Sequence, residues 1–90
     1  MQVTQHAQVR AKQRGIPPLL IDLLLQFGTS ERAGTGASKV FFDKSSRRKI
    51  KAYAGSLSSF LEEHLDVYAV VTDDLTVVTT GHRTERFFRH

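Results

Sequence analysis

Apolar positions along the chain alternate between helical and strand-like spacing. Val3, Ala7 and Ala11 recur every four residues, which predicts a narrow apolar stripe on a helix running to about Arg14. Thr4 is its expected N-cap, because a hydroxyl there accepts a first-turn N–H, and Gly15 is its expected stop. Pro17 and Pro18 suit the first turn of a second helix, where a missing N–H costs nothing. Ile16, Leu19, Leu20, Ile21, Leu23, Leu24, Leu25 and Phe27 leave that helix apolar nearly all round, and Gly28 ends it. Such a helix is buried on several sides or lies in an oligomer interface.

Residues 29–37 read as a polar, glycine-bearing loop, and 39–43 (Lys-Val-Phe-Phe-Asp) as a short strand. Ser45 or Ser46 then opens a third helix. Ile50, Tyr53, Ala54, Leu57, Leu61 and Leu65 fall at helical spacing along it, while Gly55 weakens or bends it. Two β-branched runs, 67–72 and 75–80, are joined by Asp73-Asp74 and read as a hairpin. Residues 81–90 extend the last strand or turn away at Gly81. Residues 1–3 offer a further short edge strand. The expected fold is α+β: two N-terminal helices and a third helix packed on one face of a small, mainly antiparallel, three- to four-stranded sheet.

Ninety residues suffice for one core, so 1–90 is read as a single domain. The chain has no cysteine, which excludes a disulfide framework and a thiolate zinc site. No two histidines have metal-ligand spacing, and Asp73-Asp74 lacks a partner set, so neither a metal nor a cofactor is expected. The apolar run 16–25 is interrupted by Asp22 and is too short to span a bilayer. The first residues carry no charged stretch followed by an apolar run, so no secretory leader is expected and a cytoplasmic location is. Thirteen Lys and Arg against nine Asp and Glu give a net charge of +4. That excess permits a phosphate-rich partner without demanding one.

Three clusters carry candidate chemistry. His6, Arg10 and Arg14 are spaced by four and form one stripe beside Val3, Ala7 and Ala11. This stripe either holds a phosphate next to a protonatable imidazole or is a solvated face whose arginine stems cover the core edge. Gly81-His82-Arg83 follows the last strand, with Arg86 beyond it. The run Arg83 to His90 interleaves arginine with Phe87 and Phe88, a mixture suited to single-stranded nucleic acid; its alternative is a tail whose rings pack on the domain. Arg47 and Arg48 sit in the basic cluster Ser45-Ser46-Arg47-Arg48-Lys49-Ile50-Lys51 at a helix start. Cations there oppose the helix dipole, which hints at phosphate binding; a solvated basic turn is the alternative. His6 and His82 are of the type that moves protons on and off a ribose hydroxyl. Gly34-Thr35-Gly36-Ala37-Ser38-Lys39 leads into a strand rather than a helix and reads as a loop.

The opening T-Q-H-A-Q-V-R-A-K-Q-R-G-I-P (residues 4–17) resembles the His-x3-Arg-x3-Arg-Gly-Ile start of small bacterial proteins of unknown function. The run Thr76-Val77-Val78-Thr79-Thr80-Gly81-His82-Arg83 resembles their closing strand. Those proteins are similar to RelE/ParE-type toxins of the broader barnase, EndoU, colicin and RelE group. The resemblance implies helices on an antiparallel sheet and metal-independent RNA cleavage, often on the ribosome. It carries over only to His6, Arg10, Arg14, Gly15, His82 and Arg83. Residues 46–65 are a large insertion relative to a minimal toxin of that type, and the group includes inactive members.

Three functions therefore remain open. The leading one is an RNA-directed, RelE-like module, with His6 and His82 catalytic in an endoribonuclease and Arg10, Arg14, Arg83, Arg86, Arg47 and Arg48 binding substrate. The second is a nucleic-acid-binding module without chemistry. The third is a protein-interaction domain, in which the apolar helix 16–27 meets an antitoxin-like protein or a second copy. No membrane partner is expected.

Overall fold

A computed structural model describes residues 2–83 of the chain. The first strand, β1, is Gln2–Val3, and the first helix, α1, is Gln5–Gln13. The Thr4 hydroxyl accepts the Ala7 N–H at 3.1 Å, as its N-cap position requires. The helix ends in a Schellman arrangement. Gly15 takes a left-handed φ of 69°, its N–H donates to the Lys12 carbonyl, and the Ile16 N–H donates to the Ala11 carbonyl at 2.8 Å. Pro18 then opens α2 (Pro18–Phe27). Most of the apolar surface of α2 is covered by its own chain: Leu20, Ile21, Leu23 and Leu24 are buried, and Leu25 and Phe27 are half-buried. Of its large aliphatic and aromatic side chains only Leu19 is exposed, at 52%.

Residues 29–37 are not a loop throughout. Strand β2 (Thr29–Arg32) pairs antiparallel with β3 (Ala37–Phe41), Thr29 opposite Phe41 and Arg32 opposite Ser38. The pairing runs through backbone groups at the sheet edge. Ser30, Glu31 and Arg32 are all exposed, so no apolar alternation marks the strand. Charged side chains at an edge also discourage further strands from adding.

Strand β3 ends at Phe41 because Asp43 is taken up as the N-cap of α3 (Lys44–Ala54). Its carboxylate accepts the Ser46 N–H at 2.8 Å and the Ser46 hydroxyl at 2.7 Å. The Thr29 hydroxyl lies 3.0 Å from the buried Ser46 hydroxyl and ties β2 to this cap. The expected single helix through Leu65 is broken at Gly55, whose φ is 61°. A 3-10 turn (Gly55–Leu57), a one-turn helix α4 (Ser58–Leu61) and a second 3-10 turn (Glu62–His64) follow. The stripe is not continuous past the break: Leu65 is buried like Ile50, while Leu57 and Phe60 are exposed; Tyr53, still within α3, is exposed as well.

Strands β4 (Val67–Thr72) and β5 (Thr76–His82) form the expected hairpin, with Leu75 at a φ of 66° in the turn. Val71 pairs with Val77 and Val70 with Thr79, so Val78 is an extra residue in a bulge. The sheet has five strands in the order β1-β5-β4-β3-β2, one more than the upper expectation. It is mixed, because β1 runs parallel to β5. The class is α+β, as expected. On β4, Val67, Ala69 and Val71 are buried in one core with Ala7, Ala11, Leu20, Leu24 and Ile50, whereas Tyr68, Val70 and Thr72 alternate to the other face. No helix among the described residues is long and apolar enough to cross a membrane.

Candidate nucleic-acid interface

Strand alternation and register place six positions together on the sheet face turned away from the core: Lys39 and Phe41 on β3, Tyr68 and Val70 on β4, Thr79 and Gly81 on β5. Phe41 is directly opposite Tyr68, and Tyr68 is directly opposite Gly81. The Tyr68 ring lies against Gly81 so closely that a Cβ added at position 81 would sit 2.8 Å from its hydroxyl and 2.9 Å from two ring carbons. Each ring also carries a cation. The Lys39 Nζ is 5.0 Å from the Tyr68 ring centroid, and the Arg83 guanidinium carbon is 4.4 Å from that of Phe41. Both distances are within cation–π range. A guanidinium plane against an aromatic ring is a surface on which nucleobases stack, with its charge close to where a phosphate would run.

One residue earlier on β5, alternation turns His82 toward the helices. Its Nε2 is 2.8 Å from the Arg14 carbonyl oxygen at the end of α1. A carbonyl only accepts, so Nε2 carries the proton and donates, and Nδ1 is the ring's remaining nitrogen. The bond satisfies one of the carbonyls that a helix leaves unpaired at its C-terminus. The Arg83 N–H donates to the Asp66 carbonyl at 2.9 Å, and the Asp66 carboxylate pairs with the Arg47 guanidinium at 2.8 Å. Arg14, His82, Arg83 and Arg47 are thus linked at one end of the sheet.

The remaining candidates are dispersed. Arg47 also donates to the Leu65 carbonyl at 3.4 Å, so it closes the Leu65–Asp66 corner onto α3 rather than standing open for a substrate phosphate. Arg48, next to it, is exposed. Arg10 is half-buried and His6 exposed on α1. Eight residues separate His6 from Arg14, which is about 12 Å of helix rise. Helical side chains also lean toward the N-terminus, so the His6 imidazole points away from the end where His82 is bonded. His82 is thus held at the Arg14 end of α1, about two helical turns from His6. Arg86 lies outside the described residues, as do Phe87 and Phe88. Among the described residues no three His, Asp or Glu side chains are grouped so as to hold a metal ion.

Lys39, Phe41 and Tyr68 carry no weight in the sequence reading. Alternation marks Tyr68 and Val70 as one side of a strand, and Lys39 and Phe41 as one side of another. Only the register, with Phe41 opposite Tyr68, makes them a single surface. No protein-family model matches the chain, and no curated protein or solved structure matches it either. Fold and site together define a small α+β domain that pairs a helical face with an aromatic, cation-bearing sheet face.

Proposed function

We propose that this domain binds single-stranded RNA on the sheet face formed by Lys39, Phe41, Tyr68 and Arg83. The observation that carries the reading is the Phe41–Tyr68 cross-strand pair with a cation against each ring. Two aromatic groups side by side at strand spacing suit two successive bases, and the flanking charges suit the backbone between them. The overall charge of +4 favours approach to a polyanion. The resemblance of both chain ends to RelE-type proteins points to the same ligand class. Binding rather than cleavage is the reading the geometry favours, because His82 is bonded to the Arg14 carbonyl, about 12 Å of helix rise from His6, and proton transfer needs both histidines at the reacting atoms.

The test is fluorescence anisotropy with a labelled single-stranded RNA about ten nucleotides long. If about three phosphates are contacted, the logarithmic salt slope is near −2, and raising salt from about 50 to about 200 mM weakens binding roughly 20-fold. Lys39→Glu and Arg83→Glu should each remove most of the affinity while circular dichroism reports an unchanged fold. Salt-insensitive binding, or variants that bind as tightly as the parent, would refute the assignment.

A further inference from the structure

The helical face carries a feature that RNA binding leaves unused. Between α1 and α2 lies a cleft of about 760 Å³, with Val3, Ala11, Ile16, Pro17 and Ile21 in its lining. Lys12 lines it from the α1 side and Asp22 from the α2 side. Both side chains are exposed, and neither makes an ion pair or a hydrogen bond with the described residues. Opposite charges thus border one apolar cleft without pairing with each other across it. Leu19, exposed at 52%, projects from α2 about 60° around the helix from Asp22.

We infer that this cleft is the contact surface of a homodimer, its occupant being the same face of a second copy. Charge arrangement selects that occupant. A two-fold axis exchanges the two walls, so Lys12 of each copy meets Asp22 of the other and both pairs form at once. A neutral apolar ligand would leave both charges unanswered, and a ligand of one sign would answer only one. The second copy also supplies Leu19 as an apolar projection for an apolar cleft. The patch draws on two helices of nine and ten residues, fewer than the roughly 20–30 residues a side of a standard stable interface. The dimer is therefore weak and concentration-dependent. It rests on α1 and α2 alone and does not depend on the RNA reading.

Sedimentation equilibrium of the full chain from about 5 to about 500 µM tests it. The mean mass should climb from monomer toward dimer across that range. Lys12→Glu and Asp22→Lys each place like charges opposite one another twice per dimer, and each should weaken association about tenfold or more. The double variant reverses both partners and should recover the parent affinity to within about threefold. All three positions are exposed, so the folded state is retained, as circular dichroism checks; Leu19→Asp should abolish association. A monomer at every concentration overturns the inference. So does a dimer that ignores the single charge reversals, or a double variant no stronger than either single one.

Discussion

Replacing Gly81 with alanine tests whether the Tyr68 ring is held where the proposed RNA-binding face needs it. The added methyl would stand 2.8 Å from the Tyr68 hydroxyl and 2.9 Å from two of its ring carbons. The ring must therefore shift outward. Overpacking of this kind costs about 1–3 kcal/mol, and alanine in a strand interior returns roughly 0.5 kcal/mol relative to glycine. A net loss of about 1–2 kcal/mol corresponds to a melting temperature lower by roughly 4–16 °C for a domain this size. Loss of one stacking surface weakens RNA binding by about 1–3 kcal/mol, roughly 5- to 150-fold. Calorimetry and anisotropy on Gly81→Ala, Tyr68→Ala and the double variant read both effects. With Tyr68 truncated the methyl has room, so Gly81→Ala should cost almost nothing further in that background. An equal cost in both backgrounds, or none in the parent, would sink the argument that ring and glycine are matched.

Other outcomes follow from the same geometry. Hydrogen bonds from the Ser46 backbone and hydroxyl, with the Thr29 hydroxyl, hold the Asp43 carboxyl at about 2 against an ordinary 3.8. The Asp74 carboxyl is also lowered, first by the Thr72 hydroxyl. A lowered carboxyl stabilises the fold fully above its unfolded value and loses that contribution as pH falls toward its folded value. Urea midpoints should therefore drop between about pH 4 and pH 2, and Asp43→Asn should flatten part of that limb; identical profiles would remove Asp43 from it. His82→Ala leaves the Arg14 carbonyl to water and should cost about 0.5–1 kcal/mol, read as faster amide exchange at Gly15 and Ile16, with RNA affinity within about threefold of the parent. In chelator, the parent, His6→Ala and His82→Ala proteins should all leave labelled RNA at background cleavage. Cleavage that His82→Ala abolishes would replace the binding reading with an enzymatic one.

The elements set by local chemistry were legible. Thr4 and Gly15 bound α1 as their side-chain and backbone preferences dictate, and the β-branched run 67–72 coincides with β4. Elements whose stability comes from elsewhere were not legible. Strand β2 has no apolar signature because its hydrogen bonds go to β3 and its side chains face outward. The helix-forming pattern beyond Ala54 is real residue by residue, yet one left-handed glycine turns the chain after it, and Leu57 and Phe60 are exposed. For the candidate site, Arg83 was visible as an arginine at a strand end, but the ring beneath it lies 42 positions earlier. That contact depends on β3 and β5 flanking β4, which is a matter of sheet order.

His82 and Arg83 show why two chain ends that meet need not make one reaction centre. His82 is the last residue of β5 and Arg83 follows it; their side chains reach opposite faces of the sheet. His82 reaches α1 and closes its last carbonyl; Arg83 lies against Phe41 on the sheet face away from the core. The Arg14-Gly15 end of the first signature and the His82 end of the second do meet, but through a backbone carbonyl that fixes α1 along β5. The link orients a helix rather than assembling an acid and a base. In the proposed RNA-binding reading, His82 acts on the sheet face only indirectly, by holding the strand end from which Arg83 projects. Removing the imidazole should therefore loosen α1 well before it alters binding, whereas removing the guanidinium should weaken binding and also cost the fold its contact with the Phe41 ring, about 0.5–1 kcal/mol.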